Sequence, residues 1–230
     1  MTTLTSRLAQ VHQSIEQACT QAGRQPCEVR LLAVTKTFAA QVVREAAQAG
    51  QHDFGENYIQ EAVEKIQALA PYRSTLGLVW HCIGPIQSNK TRDVATHFDW
   101  VHTIDRLKIA QRLNDQRPAT LPPLQVCLQV NTDGGANKSG VSPADVLALA
   151  EQVRLLPRLH LRGLMAIPEP QSDPIAALAV HRRLVDVFME LKTKGYELDT
   201  LSMGMSADLA PAIAAGSTMV RVGTALFGKR

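Results

Sequence analysis

At 230 residues, with 45% hydrophobic and 20% charged side chains, the chain can bury one large core. A formal net charge of only +3, with Lys and Arg dispersed, argues against nucleic acid or a membrane surface as partner, and an aromatic content of 4% removes most stacking platforms for single strands. Residues 1–25 lack the apolar core of a signal peptide, no apolar run could span a bilayer, and the four cysteines share no CxxC spacing, so a reduced, cytoplasmic protein is expected.

Leu4, Leu8, Val11, Ile15 and Ala18 recur at helical spacing and Gly23 supplies a stop, which predicts an N-terminal helix within 1–25. From residue 29, strand-like and helix-like segments alternate. Strand 29–35 leads to helix 39–49, closed by Gly50; strand 51–54 leads to helix 57–70; strand 79–84 leads to helix 88–96. Strand 98–103 precedes helix 106–116, with Asp105 as N-cap, and strand 124–131 precedes a glycine-rich loop and helix 143–155, which Ser142-Pro143 opens. Strand 159–165, a proline-rich loop and helix 174–194 follow, then strand 200–202, helix 207–215, strand 218–222 and a last helical turn at 224–227. Eight strands with interposed helices predict a single (β/α)8 TIM barrel over 29–228, read as one domain with an extra helix in front. A doubly wound sheet is the rival, but it usually has fewer strands and often a GxGxxG turn, which does not occur here.

In a barrel the chemistry sits at the C-terminal ends of the strands. Lys36 ends an apolar strand there. It is either a lysine whose ammonium snorkels to solvent or a desolvated amine able to form a Schiff base with an aldehyde. Ser202-Met203-Gly204-Met205-Ser206 and Arg221-Val222-Gly223-Thr224 end the last two strands, where small hydroxyl residues and glycines suit a phosphate dianion. The competing reading is that Ser206 caps helix 207–215 and the glycines shape turns, with Asp208 opposing an anion. Asn57 with Gln60 reads as a capping-box variant. His81 lies on a strand, where histidine is more often packed than catalytic, and no metal-ligand spacing surrounds it, so no metal is expected. Together Lys36, a phosphate cup and Arg221 point to pyridoxal 5′-phosphate (PLP), with the imine on Lys36 and Arg221 at the ring nitrogen. A guanidinium cannot accept a proton, so it favours a neutral pyridine.

The segments Leu32-Ala33-Val34-Thr35-Lys36, Phe54-Gly55-Glu56-Asn57-Tyr58, Trp80-His81-Cys82-Ile83-Gly84-Pro85-Ile86-Gln87-Ser88-Asn89-Lys90, Arg162-Gly163-Leu164-Met165, Ser202-Met203-Gly204-Met205-Ser206 and Arg221-Val222-Gly223-Thr224 resemble the YggS/PROSC family of PLP-binding proteins. The similarity runs from about residue 5 to 228, with two apolar departures at Cys82 and Ile86, where the family often has Phe and Leu. The family is similar to the N-terminal barrel of alanine racemase. The resemblance implies PLP as a Schiff base on Lys36, phosphate held around Ser206, Gly223 and Thr224, Arg221 at the ring nitrogen, and Asn57, His81 and Met203 near the cofactor. It further implies a role in PLP homeostasis without established enzymatic activity.

Two functions then compete. One is a PLP carrier, expected to be monomeric, that exchanges cofactor with apo PLP-dependent enzymes. The other is an amino-acid racemase or decarboxylase. In relatives of this barrel type the racemase's second base is a tyrosine from a C-terminal β domain, and with the sequence ending at Arg230 only Tyr58, Tyr72 and Tyr196 are available, which favours the carrier. A phosphosugar enzyme using Lys36 on an aldehyde substrate is a third, weaker reading.

Overall fold

The structure, a computed structural model, describes residues 3–134 and 139–228; the centre of the glycine-rich loop and two residues at each end lie outside the described residues. Strands β1 (Arg30–Val34), β2 (Asp53–Glu56), β3 (Val79–Cys82), β4 (Trp100–Ile104), β5 (Leu124–Gln129), β6 (Leu159–Met165), β7 (Thr200–Ser202) and β8 (Met219–Val222) form a closed parallel barrel in sequence order. Closure is made by β1 on β8, with Leu32 opposite Arg221 and Ala33 opposite Val222. Around the barrel stand α2 (Ala40–Gln48), α3 (Ile59–Ala68), α4 (Thr91–His97), α5 (Leu107–Gln116), α6 (Val146–Val153), α7 (Pro174–Thr193) and α8 (Leu209–Ala215), followed by the short α9 (Thr224–Phe227). The N-terminal helix α1 (Leu4–Gln21) packs on α8 and α9, and Arg24 just beyond it donates to the carbonyls of Ile213 and Ser217 at 2.8 and 2.7 Å. Among the described residues, no helix is long and apolar enough to cross a membrane.

Period-two alternation sorts the strand side chains into two environments. Ala33, Phe54, Trp80, Val101, Leu128, Leu164, Leu201 and Val220 face outward into the main core, where they meet Val43, Ile66, Val94, Leu113, Val153 and Leu184 of the helices. Burying each large apolar side chain there contributes roughly 1.5–3 kcal/mol. The alternate positions fill the lumen with two small apolar clusters, Leu32 with Ile83 and Met219, and Trp100 with Cys127 and Met165. The same lumen holds His81, His102, Ser202 and Arg221, all buried.

Several boundaries differ from the sequence reading for identifiable reasons. β2 starts two residues late because the buried Gln51 bonds the carbonyls of Leu31 and Asp53 instead of entering the ladder. Asp105 does not cap α5: Arg106 is the N-cap residue and holds the Asp105 carboxylate at 2.9 Å. The Asn57–Gln60 capping box does not form, since α3 begins at Ile59 and the Gln60 amide oxygen accepts from Lys90. Ser206 does not cap α8 either. Asp208 is the N-cap residue and its Oδ1 accepts from Met205 N–H at 2.7 Å. The segment expected as helix 143–155 opens with a 3-10 turn, Pro143–Asp145, before α6, and the segment expected as helix 88–96 opens with Ser88–Lys90 in the same way.

Two glycines give opposite tests of this packing. A Cβ at Gly163 would lie 1.7 Å from the Thr200 carbonyl oxygen on the adjoining strand, whereas Gly195, with φ +85°, has nothing within 4 Å. Gly163→Ala is predicted to cost more than about 3 kcal/mol or abolish folding, and Gly195→Ala about 1–2 kcal/mol, the cost of a left-handed residue with a side chain. Chemical denaturation distinguishes them, and equal costs would contradict the barrel register.

Candidate functional site

At the C-terminal ends of the strands lies a cavity of about 410 Å³, within the range of small-molecule sites. Lys36, Asn57, Ser206, Arg221, Gly223 and Thr224 line it, with Val34, Ile83, Ile167 and Met205 among its apolar wall. Two further residues singled out from sequence do not line it. His81 is buried in the lumen, hydrogen-bonded to His102 and Asp53, and Met203 is buried in the core between barrel and helices. The structure therefore brings six of the eight candidate residues together.

Lys36 occupies the turn directly after β1, and its two chain neighbours are clamped by one buried lysine network. Lys65, on the packed face of α3, donates to Thr35 O at 2.7 Å and Glu56 Oε1 at 2.6 Å, and pairs with Glu61 Oε1 at 2.8 Å, using all three ammonium protons. Thr35 Oγ1 also donates to Glu56 Oε1, at 2.7 Å, and Glu61 Oε1 accepts from Thr37 N–H at 2.5 Å. Thr37 has φ +66°, a left-handed conformation that is unfavourable for a β-branched residue and persists here because the network holds it. Burial raises the Glu56 carboxyl above its ordinary range, with Lys65 partly opposing that shift. Glu56 lies in a motif quoted from the sequence, but no role was assigned to it, to Glu61 or to Lys65. The available signal was a lysine in register with Ala62, Ile66 and Leu69 on the apolar side of a predicted helix.

The adjoining wall is built by the loops after β7 and β8. Gly204 has φ +90°, and a Cβ there would come within 2.5 Å of Ala212 Cβ, so the loop needs glycine at that point. Asp208 holds the loop through Met205 N–H and also bonds His181 Nε2 at 2.9 Å. Burial would raise the Asp208 carboxyl, but these two hydrogen bonds outweigh it and hold the group below its ordinary range. Its charge is thus engaged by Met205 and His181. Ser206 and Thr224 keep exposed hydroxyl-bearing side chains at the rim. Gly223 lies so close to β1 that a Cβ would meet Val34 O at 3.3 Å.

Arg221 is 4% exposed and donates to Ser202 O at 2.6 Å, Ser202 Oγ at 2.9 Å and Ala166 O at 2.9 Å. Three of the five N–H donors of a guanidinium are thereby engaged, which leaves two for a ligand. Burial lowers the Arg221 pKa to about 10, with Asp208 opposing the shift, so the side chain stays charged at neutral pH. Asn57 presents a buried Oδ1 that has no hydrogen-bond partner among the described residues. The two cysteines on the barrel strands are poor nucleophiles, since burial pushes the Cys82 thiol up to about 12 and raises Cys127 as well. Among the described residues no group of three or more His, Cys, Asp or Glu could hold a metal ion. The cavity thus offers an amine, a charged donor and a hydroxyl-lined rim around one space. That set fits a ligand with a carbonyl carbon, an acceptor and an anionic group.

The chain matches the family described as alanine racemase, N-terminal domain, over residues 7–230. It is 58% identical over 230 residues to the pyridoxal phosphate homeostasis protein of Pseudomonas aeruginosa, covering 100% of this chain and 97% of that protein. The structure of PipY from Synechococcus elongatus with PLP bound superposes with a TM-score of 0.82 at 35% identity, covering 98% of this chain and 100% of that one. Alanine racemase from Corynebacterium glutamicum shares the fold, with a TM-score of 0.68 at 15% identity, covering 96% of this chain and 61% of that chain.

The clamp beside Lys36 makes a direct prediction. Lys65→Met leaves Glu56 buried without its cation and should cost about 3–5 kcal/mol, while the double variant Glu56→Gln/Lys65→Met should recover much of that loss. Urea denaturation reads both, and a Lys65→Met protein as stable as the parent would remove the clamp from the account.

Proposed function

Because the chain belongs to the alanine racemase N-terminal-domain family and, within it, to the pyridoxal phosphate homeostasis proteins of YggS/PROSC type, we propose that it works as a single domain. In this reading it holds PLP as a Schiff base on Lys36 and supports vitamin B6 balance without catalytic turnover. The observation that carries the reading is the convergence of Lys36 and Arg221 on one cavity whose rim bears Ser206, Gly223 and Thr224. Bound there, PLP supplies an aldehyde to the lysine and an electron-accepting ring. Lys36 would hold the cofactor through its amine, which is the nucleophile a Schiff base with that aldehyde requires. Ser206, Gly223 and Thr224 hold the 5′-phosphate with hydroxyl and backbone N–H donors, since the first N–H groups of a helix lack partners within it. Arg221 would offer its remaining donors to the ring nitrogen and, having no proton to accept, would favour the neutral pyridine, a weaker electron sink. Asn57 contributes a polar group beside the cofactor, and His81 and Met203 act from behind the cavity wall.

Absence of turnover is supported by the cavity's own inventory. Among the described lining residues, Lys36 and Arg221 are the ionisable ones. A guanidinium is no base at neutral pH, so a second base for racemisation is wanting. Tyr58 is 54% exposed and outside the lining, and Tyr196 is buried under Arg154. A general base contributes roughly 10²–10⁴ in rate. The recipients that suit such a protein are apo PLP-dependent enzymes.

The test is chemical. The protein incubated with PLP should show a visible imine band, and borohydride should fix the cofactor to Lys36, located by peptide mass mapping. Lys36→Ala should lose both signals while keeping the fold. Ser206→Ala/Thr224→Ala should weaken retention by roughly 0.5–3 kcal/mol per lost charge-assisted hydrogen bond. An unaltered imine band in Lys36→Ala would overturn the assignment.

A further inference from the structure

Arg221 is one end of a line of buried hydrogen bonds that crosses the barrel lumen. Its Nη1 donates to Ser202 Oγ at 2.9 Å, and Ser202 Oγ lies 2.8 Å from His102 Nδ1. His102 Nε2 lies 3.0 Å from His81 Nδ1, and His81 Nε2 lies 2.9 Å from Asp53 Oδ1. Ser202, His102 and His81 are each 0% exposed. The line passes through β8, β7, β4, β3 and β2 in turn. Asp53 opens β2 at the N-terminal rim, 3.9 Å from Arg30, whereas Arg221 opens onto the cavity at the other end.

With both histidines neutral, the two ends decide the direction of every bond between them. A guanidinium only donates, and an ionised carboxylate only accepts. Ser202 Oγ takes a hydrogen from Arg221 and gives its own to His102 Nδ1. His102 must then carry its proton on Nε2 and give it to His81 Nδ1. His81 likewise carries its proton on Nε2, facing Asp53. The reversed arrangement would set an imidazole lone pair against the Asp53 carboxylate at 2.9 Å unless His81 took up a further proton. The Trp100 ring, stacked on His81 at 5.4 Å and 14°, covers one face of that imidazole, and the Arg162 guanidinium lies 5.0 Å over Trp100 in turn. Packing alone places no demand on which nitrogen bears the proton; this line of partners does.

We propose that Ser202, His102, His81 and Asp53 are positioning residues for the ligand site: a one-way hydrogen-bond relay, with both histidines neutral and protonated on Nε2, that locks the Arg221 guanidinium toward the cavity. Because three of its N–H groups are fixed by Ser202 and Ala166, the remaining two have no freedom to turn away from a ligand. Asp53, which does not line the cavity, therefore influences binding from the far end of the barrel. The binding consequence rests on the PLP reading above; the relay itself does not.

The experiment is therefore read in two ways. Nitrogen-15 NMR of the histidine rings in the ligand-free protein should show His81 and His102 as neutral Nε2–H tautomers near neutral pH. Asp53→Asn replaces an obligatory acceptor with an amide that can also donate, so His102 should acquire an Nδ1–H fraction. PLP dissociation constants should then rise at least about fivefold, the scale of one hydrogen bond. Asp199→Asn is the control: that carboxylate, at the same rim, bonds Arg162 and Thr200 outside the relay and should leave the constant within about twofold. An Nδ1–H tautomer at His102 in the parent protein, or Asp53→Asn with parental tautomers and parental affinity, overturns the relay. A parent protein that fails to retain PLP overturns the functional reading instead, and the tautomers alone then decide the relay.

Discussion

A guanidinium buried inside a closed parallel barrel is the constraint from which the rest of the site follows. A charge removed from water is tolerated only when its hydrogen-bonding capacity is met. Arg221 meets three of its five donors' needs with Ser202 O, Ser202 Oγ and Ala166 O, contacts that draw on the ends of β7 and β6. Those strand ends must stay in register with β8, and the fully buried Ser217 hydroxyl beneath them bonds Met203 O at 2.7 Å. The lumen is accordingly divided into two apolar clusters and one line of polar groups, an unusual content for a barrel interior usually filled with branched aliphatic residues.

A second constraint operates at the turn that follows β1. Lys36 can serve as a nucleophile only if the turn that carries it holds its place, and the strained Thr37 shows that this turn is not the chain's relaxed choice. Lys65 and Glu56 supply the restraint from within the core, below the turn. Rigid support from buried groups, with Lys36 itself half-buried at the cavity, suits the proposed role of admitting and releasing a ligand. The loop after β7 follows the same plan, with Asp208 and His181 fastening it from behind and Ser206 left at the rim.

Much of this was legible in the sequence because period and position are local properties. β6 and β7 begin and end where their apolar runs do, and in a barrel of eight strands the residues at the C-terminal ends are bound to converge, so Lys36, Ser206, Arg221, Gly223 and Thr224 could be gathered before any coordinates. What was not legible depends on partners distant in sequence. Gln60, Asp105 and Ser206 all have the chemistry of caps, yet Lys90, Arg106 and the neighbouring Asp208 decide what they or their helices actually do. Lys65 and His102 are polar residues in apolar rows. The sequence shows that anomaly but not the Glu56 carboxylate or the Ser202 hydroxyl that resolves it. His81 could be judged packed rather than reactive, whereas its place in a line leading to Arg221 required the register of five strands.

The central claim is that this site holds PLP but lacks the means to move a proton on a bound amino acid. The most direct measurement is α-hydrogen exchange of L-alanine, L-lysine and L-ornithine in deuterium oxide with PLP-loaded protein, followed by proton NMR. Exchange no faster than that caused by free PLP at the same concentration is the predicted result. Exchange at an ordinary enzymatic rate, on the order of 1 s⁻¹ or more, would reveal a second base at the cavity and contradict the account.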